Sequence, residues 1–169
     1  MAVFAIGRLA KGGTPMKKWN FLLLPLLALG VGFFSSFLVK DQIAAFAPLQ
    51  AQIPLSPPSA LFPVVWTILY ILMGISLALV LDQQPSSSNA ITIWVAQLAV
   101  NFFWSLLFFG QQWYLASFLW LILLWWLIVT MISVFYTVSP LAAKLQIPYL
   151  LWVTFAGYLN FATFLLSRA

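Results

Sequence analysis

Five apolar stretches, each about 20 residues long and almost free of charge, leave this chain few possible folds. A helix needs roughly 20 predominantly apolar residues to cross about 30 Å of hydrocarbon. The stretches cover about 19–39, 60–81, 90–109, 113–136 and 148–166. Lys40-Asp41 closes the first, and Asp82 with the turn from Pro85 to Asn89 closes the second. Gly110-Gln111-Gln112 stops the third, Ser139-Pro140 ends the fourth, and Pro148 suits the first turn of the fifth. Barrel strands would alternate polar and apolar residues over about 10 positions, and these runs do not. The expected fold is an all-α integral membrane bundle of five helices.

Composition agrees, with 64% apolar and 5% charged residues. Seven Lys/Arg and two Asp cannot clothe a water-soluble surface, which excludes soluble enzymes and nucleic-acid-binding modules. The chain has no Cys, His or Glu. Thiolate or imidazole metal sites, hydrolytic triads and disulfides are therefore excluded. With Asp41 and Asp82 as the sole acids, no carboxylate relay of the kind proton-coupled pumps use can be built.

Arg8, Lys11, Lys17 and Lys18 precede the first span and read as an orientation signal. Together with Lys144 they put five basic residues on the N-terminal side, against Lys40 and Arg168 on the other. The expected topology is N-inside, C-outside, in a bacterial cell membrane. The first run is too long for a signal peptide and lacks a following cleavage site. Residues 1–15 read as a dispensable extension, with residues 16–169 as the single transmembrane domain.

Most connections are short. The exception is Lys40 to Ser59, which contains Pro48, Pro54, Pro57 and Pro58. Its apolar residues Ile43, Phe46, Leu49, Ile53 and Leu55 argue against a solvated linker and for a long lid loop over one end of the bundle. On the third span Trp94, Gln97, Asn101, Trp104 and Ser105 share one helical face. The amides Gln97 and Asn101 face inward, because unsatisfied polar groups in hydrocarbon cost several kcal/mol. Two roles fit them: helix–helix adhesion through hydrogen bonds, or a cavity wall that binds a ligand's polar edge. Tyr149, Trp152, Ala156, Asn160 and Thr163 form a similar stripe on the fifth span, and Trp66, Tyr70 and Met73 on the second. Trp66 and Trp152 lie within the first turn or two of their spans and are each also readable as interfacial belt residues. Because the two spans enter from opposite faces, Trp152 reaches a lid-side cavity only if its stripe runs deep or the cavity extends across the membrane. Small residues Ala28, Gly32 and Ser36, and Gly74 with Ala78, allow close helix approach within the bundle or between subunits.

The words in three of these spans are familiar. Pro57-Pro58-Ser59-Ala60-Leu61-Phe62-Pro63-Val64-Val65-Trp66-Thr67-Ile68-Leu69-Tyr70 leads the second span. The third carries Gln97-Leu98-Ala99-Val100-Asn101-Phe102-Phe103-Trp104-Ser105, and the fifth Pro148-Tyr149-Leu150-Leu151-Trp152-Val153-Thr154-Phe155-Ala156-Gly157-Tyr158-Leu159-Asn160. In that order they resemble the translocator protein family, also known as tryptophan-rich sensory proteins or the peripheral benzodiazepine receptor family.

The resemblance implies a five-helix bundle, often homodimeric, whose ligand cavity is capped by the loop between the first two spans. It implies a membrane receptor or sensor that binds porphyrins such as protoporphyrin IX and related flat lipophilic ligands, with no bound cofactor or metal and no nucleic-acid partner. Position by position it implies a pocket of Trp66, Asn101, Trp104, Trp152, Phe155, Ala156 and Leu159, with the fifth-span stripe in the lid-side cavity. Tyr70 and Gln97 join them as candidates by their place on the stripes. Some members are reported to break down protoporphyrin under light, with tryptophans matching Trp66 and Trp152 implicated, so a light-dependent porphyrin-degrading enzyme is the second expectation. A tetrapyrrole or sterol transporter is the third, although Arg168 lies too far from Tyr158 to complete a sterol-contact pattern. Many members carry a Trp-Tyr pair and then Lys-Pro-x-Trp in the lid. Here those stretches read Ala45-Phe46-Ala47-Pro48-Leu49 and Ile53-Pro54-Leu55-Ser56, so the lid aromatics are missing.

Overall fold

The computed structural model describes residues 16–168, and the N-terminal extension with Arg8 and Lys11 lies outside them. The described residues are helical, with no strand among them. Helix α1 spans Met16–Leu38, α2 Lys40–Gln50, α3 Leu61–Gln83, α4 Ser88–Ser105, α5 Tyr114–Tyr136, α6 Pro140–Lys144 and α7 Ile147–Leu166. A π-helical turn, Leu106–Gly110, continues α4. Five helical stretches are long and apolar enough to cross a bilayer. Large apolar side chains such as Leu26, Phe33, Leu119, Trp126, Leu151 and Leu165 face outward on them. A soluble fold would bury these groups; here they meet acyl chains. The protein is a multi-pass integral membrane protein.

Two expectations about element limits need correction. The segment expected as a lid loop is half helix: α2 occupies Lys40–Gln50, and irregular turns follow before α3 begins at Leu61. Pro48 stands in the last turn of α2, where a missing N–H removes one hydrogen bond without breaking the turns before it. Ile43, Phe46, Ala47 and Gln50 recur at helical steps, and Phe46 packs edge-on against Phe108 and Phe109 of the π-turn at 5.1 and 5.5 Å. The fifth span also begins earlier than Pro148. The helix that carries Trp152 begins at Ile147, while the apolar helical stretch extends back through the α6–α7 turn to Pro140.

Helices α1 and α3 make the closest approach in the bundle. A Cβ on Gly74 would collide with the backbone of Pro25, and one on Gly32 with the ring of Tyr70. Ala28 and Ala78 are fully buried beside them. These small residues therefore serve packing within the bundle. Ser35 rather than Ser36 turns inward, its hydroxyl donating to the Gly32 carbonyl at 2.9 Å. Elsewhere Ser76 donates to the Ala142 carbonyl at 2.7 Å and ties the short α6 to α3.

Candidate ligand-binding site

A chain of hydrogen bonds joins α3, α4 and α7 in the centre of the bundle. The Tyr70 hydroxyl donates to Asn101 Oδ1 at 2.9 Å, and Asn101 Nδ2 donates to the Tyr149 hydroxyl at 2.9 Å. Tyr149 donates in turn to Gln97 Oε1 at 3.0 Å, and Gln97 Nε2 faces the Met73 sulfur at 3.9 Å. Gln97 is 0% and Asn101 1% exposed, so both amides depend on these partners. Each side chain reaches the others because its helix presents it at a 3- or 4-residue step, the placement that the stripes predict.

Beside this polar floor lie two separate sets of ring contacts, which make up an aromatic wall. The Trp66 ring lies 5.6 Å from Tyr70 and 6.2 Å from Tyr149. Phe62, at the start of α3, meets Trp152 edge-on at 5.6 Å, and Trp152 continues to Phe155 at 5.8 Å. Phe155 stacks on Tyr158 at 6.2 Å, and the Tyr158 hydroxyl donates to the Pro54 carbonyl at 2.9 Å. The turn after α2 is thereby fastened to α7 on the side where Phe62 and Trp152 meet. Ile53, in the same turn, is buried.

The tryptophans divide by what their indole N–H groups do. Trp94 donates to the Met73 carbonyl at 3.0 Å, Trp120 to the Val100 carbonyl at 2.8 Å and Trp125 to the Thr154 hydroxyl at 3.0 Å. Trp104 donates to Asn160 Oδ1 at 3.1 Å, while Asn160 Nδ2 donates to the Tyr114 carbonyl at 2.7 Å. Those four indoles tie helices together. Trp66 and Trp152 are half-buried and make no such bond, so each has an N–H to offer a guest.

Of the nine expected binding residues, Trp66, Tyr70, Gln97 and Asn101 share one set of ring contacts and hydrogen bonds, and Trp152 and Phe155 belong to a second set that runs from Phe62 to Tyr158. Trp104 bonds to Asn160 and stacks on Phe108 at 5.3 Å, and Ala156 and Leu159 are buried on α7. Tyr149 and Phe62 contact these candidates and are absent from the expected set. Tyr149 stands on the fifth-span stripe, and Phe62, four residues before Trp66, extends the second-span stripe by one helical step, so periodicity points to both. As it stands the group is closed, its amides bonded to protein. The cavities described lie elsewhere: one of about 210 Å³ between α2 and the π-turn, and an outward groove of about 360 Å³ between α5 and α7.

Residues 21–166 match the model of the TspO/MBR family. The chain is 40% identical to the tryptophan-rich protein TspO of Chlorobaculum tepidum, over 80% of this chain and 87% of that one. It is 34% identical to the tryptophan-rich sensory protein of Cereibacter sphaeroides, over 63% of this chain and 66% of the relative. Identity to the human translocator protein is 32%, over 84% of this chain and 85% of the relative. A match across nearly all of the described bundle, with relatives aligned over most of their length, establishes that the chain belongs to the TspO/MBR family.

Proposed function

We propose that the protein is a membrane receptor that binds a porphyrin, or a similar flat lipophilic molecule, between the aromatic wall and the polar floor. The observation that carries this reading is the pair of indoles on separate helices, Trp66 and Trp152, each half-buried among rings with its N–H unused. Aromatic faces suit a planar macrocycle, and the two N–H groups with Asn101 suit its polar edge. Binding requires the closed group to part. The turn at Ile53–Pro54 and the Tyr158 hydroxyl are the groups that release to admit the guest, which makes the α2–α3 connection the lid.

Titration of the detergent-solubilised protein with protoporphyrin IX, followed by porphyrin absorption, tests this. Saturable binding is expected. Replacing Trp66 and Trp152 together by Phe removes both donors and part of the stacking surface, weakening binding roughly tenfold or more. Trp126→Phe, a change on the lipid-facing surface, leaves it unaltered. Absence of saturation, or equal affinity in the double variant, defeats the proposal.

The adjacency of Trp66 to two tyrosine rings favours a second reading, light-dependent porphyrin degradation, because all three are one-electron donors. Under illumination in air, the complex would then lose its porphyrin absorption faster than free porphyrin in the same detergent. Equal rates leave receptor function alone.

A further inference from the structure

The groove between α5 and α7 opens toward the membrane, and its chemistry selects what fills it. It is walled by Ile122 and Trp125 of α5 and by Thr154, Tyr158 and Phe161 of α7, with Gly157 at its floor. A Cβ on Gly157 would reach Leu121 Cδ2 at 3.4 Å, so the missing side chain deepens the groove. The polar side chains on its wall have partners already. Trp125 donates to Thr154, Thr154 donates to the Leu150 carbonyl at 2.8 Å, and Tyr158 donates to Pro54. No wall donor remains to hold a carboxylate, which disfavours a porphyrin here. The lining runs from Phe118 to Trp125 on α5, about 10 Å at 1.5 Å per residue, within the first half of a helix that starts on the lid side. That length fits inside one leaflet of a hydrocarbon core about 30 Å thick.

We infer that this groove seats one acyl chain of a bilayer lipid from the leaflet at the α2 end of the bundle, and that the seated chain backs the ring of Tyr158, the residue that fastens the turn after α2. The groove is continuous with a surface that already meets hydrocarbon, so its occupant needs only to be apolar and narrow. Tyr158 is shared: it lines the groove, its ring stacks on Phe155, and its hydroxyl holds Pro54. The inference goes beyond the ligand site and stands without it.

Brominated acyl chains quench indole fluorescence on contact. The full chain is reconstituted into phosphatidylcholine vesicles with chains brominated at mid-leaflet, and into unbrominated vesicles for reference. Comparing wild type with Trp125→Phe and Trp126→Phe isolates the quenching of each neighbouring indole. Trp126 is 61% exposed and Trp125 only half-buried, on adjacent positions and so at the same depth. A seated chain makes Trp125 lose the larger fraction of its emission, and Gly157→Leu, which fills the floor, removes that excess while leaving Trp126 unchanged. Loose surrounding lipid alone quenches the more exposed Trp126 at least as strongly, and that result overturns the inference. So does a Trp125 shielded from bromine together with disulfide-linked dimers of Ile122→Cys, which would place a second copy of the chain in the groove.

Discussion

Gly74 shows how much one absent side chain decides. Its Cβ position is occupied by the backbone of Pro25, which cannot rotate away as a side chain could. Gly74→Ala therefore forces α1 and α3 apart and is expected to cost about 3 kcal/mol, the upper end for overpacking. At Gly30 nothing lies within 4 Å, and Gly30→Ala is expected to be neutral or slightly stabilising. Thermal unfolding in detergent compares the two, and equal midpoints would remove the close-approach argument. Gly32 is an intermediate case because its neighbour is the Tyr70 ring. Gly32→Ala displaces that ring from Asn101, costing about 1 kcal/mol of hydrogen bonding and reducing porphyrin binding as well. Asn101→Leu leaves Tyr70 without its acceptor and Tyr149 without its donor in a dry interior. A loss of about 1–3 kcal/mol in unfolding free energy is expected.

Among the elements, the five spans were legible because continuous apolar runs of bilayer length have one common solution. The inward faces of α3, α4 and α7 were legible for the same kind of reason: Gln97 and Asn101 had to find partners, and a 3–4 step fixed which way they pointed. Two things were hidden. Prolines mark turns in most contexts, so Pro48 disguised the eleven residues of α2, although Phe46 and its neighbours kept helical spacing. The short helix α6 was hidden as well, because Ser139-Pro140 and Pro148 both mark boundaries while the apolar stretch runs back to Pro140. Which indoles bond to protein and which stay free depends on long-range contacts such as Trp104 to Asn160, and no local pattern encodes those.

The connection after α2 carries its own prediction. Tyr158→Phe removes the hydrogen bond to Pro54 and keeps the ring against Phe155. Backbone amides of 51–60 are expected to exchange with deuterium up to about tenfold faster, following a net bond worth about 0.5–1.5 kcal/mol. The spans themselves are expected to exchange as before. Unchanged exchange in this segment would show that Tyr158 does not fasten it.

On the scale of the whole molecule, the proposed function asks one set of helices to do two jobs. Small residues draw α1 and α3 together, and four bonded indoles brace α3, α4, α5 and α7, so the frame holds without the half-buried rings of Trp66 and Trp152. Those rings can then part for a guest without unfolding the frame. Porphyrin binding is accordingly expected to loosen the Ile53–Pro54 turn while raising the unfolding temperature with the logarithm of free porphyrin once it exceeds Kd. The most direct measurement is a structure of the protein with protoporphyrin IX bound in lipid. The account predicts the macrocycle in contact with both Trp66 and Trp152, its edge toward Asn101, and the Tyr158–Pro54 bond broken. A macrocycle lying outside the bundle, with the Trp66 and Trp152 contacts unchanged, would contradict it.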